Sequence, residues 1–189
     1  MSMRSMLRFF GARKASGRGL ADFRHDASGA TAVEFGLVAL PFLGLLFAIL
    51  ETSLIFFAGQ TLETAVVNTA RLIRTGQAQQ LGYGVTNIRT SICSQVITLA
   101  NCAGNLQLDV RTYATFSSIN LAKPLNAQGN LDTSNFTYAA GHGGDIVVVR
   151  AFFEWPVWSK MLGLGFGNLT NGNHLLSATA AFRNEPFPW

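Results

Sequence analysis

Residues 35–50 read FGLVALPFLGLLFAIL, sixteen positions without a charge, and the architecture turns on this stretch. Glu51, Thr52 and Ser53 interrupt it, and LIFFAG at residues 54–59 resumes the apolar run. A helix needs about 20 mostly apolar residues to cross a hydrocarbon core about 30 Å thick, and residues 35–59 exceed that. The core helix of a soluble protein is one competing reading, but such helices carry a polar face and rarely stay apolar this long. A secretory signal peptide is the nearer competitor. Its apolar region runs about 7–15 residues and closes on a small-x-small cleavage site, which this run lacks. The sequence predicts a membrane span at residues 35–59 that stays attached to the chain.

Charge supplies the direction. The 189-residue chain is 49% hydrophobic and 13% charged, with a net charge of +4. That composition excludes a disordered chain and an acidic tail protein. Residues 1–29 carry Arg4, Arg8, Arg13, Lys14, Arg18 and Arg24 against Asp22 and Asp26, whereas residues 30–189 carry eight basic and eight acidic groups. All of the excess lies ahead of the span. A nucleic-acid partner would call for basic residues on the folded body, so none is expected. A basic segment before a span is instead a topology signal, which keeps residues 1–29 cytoplasmic and places everything after about residue 60 outside.

Beyond the span, QTLETAVVNTARLIRTG sets Leu62, Ala65, Val66, Thr69, Leu72 and Ile73 on one helical face, and Gly76 is a plausible stop. The reading is one helix from about Thr31 to Thr75, roughly 65 Å long, with Pro41, Gly36 and Gly44 bending or loosening its first half. Residues 76–189 form the head. A helix is expected over Val85–Ala100, from the spacing of Val85, Ile88, Ile92, Val96 and Leu99. Strands are expected at Leu106–Phe116, Asp145–Phe153 and Leu175–Arg183, with DIVVVRAFF central, and a loop at residues 117–144. A helix packed on a small antiparallel sheet makes the fold class α+β.

Cys93 and Cys102 are the only cysteines. In an oxidising exterior the pair invites a disulfide, provided the chain turns back near Ala100–Asn101; two buried free thiols are the alternative. Two cysteines make no zinc site, and His25, His142 and His174 stand isolated, so neither metal nor cofactor is expected. No nucleophile–base constellation can be assembled, and no catalytic residue is assigned. Trp155, Pro156 and Trp158 are either core or a contact patch. Glu51 either marks the outer end of the span or makes a subunit contact within a helical bundle.

Glu34 stands at the entry to the apolar run, in Ser28-Gly29-Ala30-Thr31-Ala32-Val33-Glu34-Phe35. A carboxylate there either snorkels at the cytoplasmic interface or has a role tied to the glycine five residues earlier. A cut after Gly29 would make Ala30 a new N-terminus, whose amine could pair with Glu34 of the same or a neighbouring subunit.

Basic leader, Gly29 and GATAVEFGLVALPFLGLLFAILE together resemble a class III prepilin signal of the type IV pilin superfamily. Within it, the chain resembles the TadE-like pseudopilins of tight adherence (Flp/Tad) pili. In those signals a glycine precedes the cut, and Glu and an aromatic residue follow at the fifth and sixth mature positions, which Glu34 and Phe35 fill. The resemblance is strongest over residues 24–75, and GHGGDIVVVRAFFEWP (141–156) and ATAAFRNEPF (178–187) are similar to the family's closing strands. Major Flp pilins usually carry Tyr after the Glu and are very short, so Phe35 and the long head favour the TadE-like branch. The resemblance implies a structural subunit rather than an enzyme, with a pilin-like fold: a leader (1–29) removed by a prepilin peptidase, a long helix (30–75) and an extracytoplasmic head (76–189). It implies an inner-membrane location, entry into the pilus or its tip, and partners among other Tad pilins, pseudopilins and the inner-membrane assembly platform. An unprocessed single-pass assembly or binding factor of an envelope secretion system is the alternative.

Overall fold

The structure is a computed structural model that describes residues 29–96, 99, 101–158 and 165–188. The basic leader therefore lies outside the described residues, except for Gly29. The described residues fall into two units, divided between Leu43 and Gly44. Helix α1, Ala30–Arg74, belongs to both and is 45 residues long. In the first unit it is an apolar helix whose larger side chains, from Val33 to Leu43, are all exposed. The helix assignment continues through Pro41, whose missing N–H leaves the Leu37 carbonyl without its helical donor.

In the second unit the same helix changes character. Ile55, Ala58, Leu62, Ala65, Val66, Thr69, Ala70 and Ile73 are buried. They recur at three- and four-residue steps and form one stripe. Leu72, expected on this face, packs at its margin. The helix stops where Gly76 takes φ +77°, a left-handed conformation that costs glycine little and closes the last turn. Arg71 and Arg74 lie in that turn, the favourable end for cations in a helix dipole.

A one-turn helix α2 (Gln77–Gln80) leads to α3 (Val85–Cys93), where the Asn87 side chain accepts a hydrogen bond from the Gly84 N–H at the helix start. The helix expected to reach Ala100 ends at Cys93, and residues 97, 98 and 100 lie outside the described residues. Val96 and Leu99 are nevertheless buried in the core. The cause is the disulfide between Cys93 and Cys102, whose Cα atoms are 5.6 Å apart. A continuous helix would separate them by about 13.5 Å, so the chain must fold back between them. Asn101 makes that turn at φ +50°, as the non-glycine residue with positive φ among those described, and short α4 (Cys102–Asn105) follows.

Three strands, β1 (Gln107–Tyr113), β2 (Ile146–Trp155) and β3 (His174–Arg183), form an antiparallel sheet in the order β1-β2-β3. DIVVVRAFF is central, as its composition demands. Alternation along β2 assigns two faces. Val147, Val149, Ala151 and Phe153 join Leu108 and Val110 of β1 in the core shared with α1 and α3. The opposite face is covered too: Phe152 packs with Leu169 and Leu175, and Leu131 and Phe136 lie against them. The segment read as a loop over residues 117–144 thus forms a lid on the sheet. It also runs beside β1, where Val110 N–H donates to the Thr137 carbonyl and Ala139 N–H to the Val110 carbonyl, both at 2.8 Å.

Short-loop closure makes the disulfide worth about 2–3 kcal/mol by restricting the unfolded chain. Replacing both cysteines with serine should lower head stability by that amount in chemical denaturation. Without reductant, both thiols of the wild-type protein should resist alkylation; quantitative labelling of unreduced protein would refute the bond.

Candidate functional site

Gly29, Ala30, Glu34 and Phe35 come together at the start of α1 because they lie within its first turns. Ala30 is the first α-helical residue. Glu34 follows four positions later, on the same face and about 6 Å along the axis. Phe35 is 74% exposed. Among the described residues, nothing lies within 4 Å of where a Cβ on Gly29 would stand.

From Val33 to Phe57, fifteen large apolar side chains of α1 are exposed. A helix whose apolar residues face outward on every side is stable only in an apolar medium or among apolar neighbours. Its polar interruption is internally satisfied. Thr52 Oγ1 donates to the Ala48 carbonyl at 2.9 Å and Ser53 Oγ to the Ile49 carbonyl at 2.8 Å. Such back-bonding meets the requirement that polar groups in lipid find partners inside the protein. The helix is long and apolar enough to cross a membrane.

Glu51 has a partner inside its own chain: its side chain accepts a hydrogen bond from the Trp158 backbone N–H. The tryptophan pair divides. Trp155 packs partly buried against the core, whereas Trp158 is 77% exposed. Among the described residues, no group of three His, Cys, Asp or Glu side chains could hold a metal ion.

The head has an electrostatic centre that pattern reading missed. Asp109 is fully buried on the lid face of β1, directly opposite Arg150 of β2. Arg150 Nη2 donates to its carboxylate at 2.6 Å, Arg111 Nε at 2.9 and 3.0 Å, and the Thr137 N–H at 3.1 Å. Both guanidiniums also hold the lid: Arg150 donates to the Ala122 carbonyl at 3.1 Å and Arg111 to the Asn135 carbonyl. Burial pushes the Asp109 carboxyl up, but the hydrogen bonds from Arg150, Arg111 and Thr137 outweigh it and hold the group below the ordinary carboxylate value. One signal was available. Arg150 interrupts the otherwise apolar run from Ile146 to Phe153, and a buried cation calls for a carboxylate nearby, which Asp109 on the neighbouring strand can supply.

A long apolar N-terminal helix bearing a small α+β head is a pilin-like arrangement. A family model described as TadE-like protein matches residues 29–71, so the chain is similar to that family over most of its N-terminal helix. No curated protein and no solved structure matches the chain.

Because Asp109 titrates below its unfolded value, its contribution to stability is complete above about pH 4 and is lost as pH falls further, through the folded value. Asp109→Asn should cost about 3–5 kcal/mol, by leaving two guanidiniums without their counter-charge. It should also flatten the acid limb of a stability–pH profile measured by denaturant titration. Equal acid limbs in wild type and variant would remove Asp109 as their source.

Proposed function

We propose that this chain is a minor pilin-like subunit, a pseudopilin, of a Tad-type adhesion pilus. In this reading a prepilin peptidase cuts between Gly29 and Ala30. The apolar helix holds the subunit in the inner membrane with its head outside, and the head and helix contact other pilins, pseudopilins and the assembly platform. No catalytic step is assigned to it. The observation that carries the reading is the match to the TadE-like family model beginning at Gly29, on a helix that begins at Ala30 and exposes its large apolar side chains from Val33 to Leu54. Such a helix is suited first to lipid and then to the interior of a helical bundle. An unprocessed single-pass assembly factor would share the helix but keep residues 1–29.

Intact mass of the protein made with its cognate peptidase separates the two, and loss of residues 1–29 is the expected result. Gly29→Phe should leave the chain inserted and folded but uncut, since the surroundings of Gly29 among the described residues are open. A full-length N-terminus in cells with active peptidase would contradict processing.

Glu34 carries the assembly half of the proposal. Once the leader is gone, a carboxylate entering lipid must be protonated or paired, and the new amine at Ala30 of a neighbouring subunit is a suitable partner. Glu34→Ala should leave insertion and head folding intact while reducing co-purification with partner pilins. Glu34→Gln should be nearly as harmful if charge is required. Wild-type complex levels in both variants would leave Glu34 as an interfacial anchor or peptidase determinant.

A further inference from the structure

We propose that the indole of Trp158 is a membrane anchor, seating the head on the lipid interface at the level of Glu51. This rests on the reading of α1 as a membrane span.

The geometry leaves Trp158 little choice of direction. Val157, its neighbour, is 1% exposed and locked in the core, while Trp158 is 77% exposed. Its own N–H is held by the Glu51 side chain, 107 residues away in sequence. The backbone at Trp158 is therefore fixed on one side by packing and on the other by a hydrogen bond, and the side chain stands exposed.

Glu51 also sets the depth. It is the first charged residue after Glu34, and a carboxylate ending a long uncharged run belongs where the helix leaves the hydrocarbon. Burial of α1 against the head begins only at Ile55, so residue 51 precedes the head-packed stretch. Phe47 and Leu50, on the membrane side of it, are exposed, and in a spanning helix their surroundings are lipid. A tryptophan tied to the same level meets the headgroup zone. Its apolar body and N–H donor suit that zone better than either water or hydrocarbon. A second protein covering Trp158 is the competing occupant, but an indole whose depth is set by the end of the span fits lipid better than a docking patch.

The test uses the full chain in phosphatidylcholine vesicles, with lipids brominated either near the headgroup or near the bilayer centre. Trp155→Phe with Trp189→Phe leaves Trp158 as the sole reporter. Adding Trp158→Phe and Phe47→Trp moves the reporter into the span. Trp158 should lose most of its emission to the shallow bromines and little to the deep ones, with a blue-shifted maximum. The residue 47 reporter should be quenched by chain bromines, which establishes the span independently. A quenched residue 47 reporter with an unquenched, water-like Trp158 would overturn the anchor while leaving the span intact. An unquenched but blue-shifted Trp158 would overturn it in favour of a protein contact. Failure of both reporters to quench would overturn the anchor together with the span.

Discussion

The stripe from Ile55 to Ile73 on α1 is the contact on which the head is built. Eight buried residues along five turns supply one wall of the core, and the sheet face formed by Leu108, Val110, Val147, Val149, Ala151 and Phe153 closes against it with α3. Each fully buried Leu, Ile or Val contributes about 1.5–3 kcal/mol relative to exposure. Removing the helix would thus leave a three-stranded sheet with its apolar face in water. The same helix must also satisfy a second environment, because its apolar side chains from Val33 to Leu54 have no such wall. The polar requirements of the two environments meet near Glu51. Thr52 and Ser53 spend their hydroxyls on their own helix there, and Glu51 accepts the Trp158 N–H.

Elements governed by periodicity could be read directly from residues. Helix α1 was expected over Thr31–Thr75 and spans Ala30–Arg74. DIVVVRAFF was expected to be central and is. Where periodicity misled, the reason is specific. Val96 and Leu99 recur at helical spacing because both are buried, but the chain that buries them is no helix: the Cys93–Cys102 bond forces it to turn. Apolar spacing reports which residues face the core, and a covalent closure can place them there by another route.

The lid was the least legible part. Residues 117–144 carry Asn, Ser, Gly and Pro without a repeating pattern, so their packing depends on contacts distant in sequence. Those contacts are polar. Asp109, Arg111 and Arg150 hold the lid by its backbone at Ala122, Asn135 and Thr137, and Leu131 and Phe136 then cover Phe152. Alternation along β1 puts Asp109 on the face away from Leu108 and Val110, but that face is roofed rather than wet. At the candidate site, by contrast, Gly29, Ala30, Glu34 and Phe35 are neighbours in sequence, so their grouping was legible. The Glu51–Trp158 contact was not, because pattern says nothing about which loop reaches a given helix turn.

The account stands most directly on α1 serving two environments, and single cysteines along that helix can report both. The native Cys93–Cys102 pair is bonded and silent to maleimides. In intact cells or spheroplasts, a membrane-impermeant maleimide should leave cysteines at positions 37, 40, 43 and 47 unlabelled until the bilayer is dissolved. Cysteines at positions 63 and 67, on the exposed face beyond the stripe, should label at once. Labelling at positions 37–47 in intact membranes would contradict a span there, and protection at 63 and 67 would contradict a head outside it.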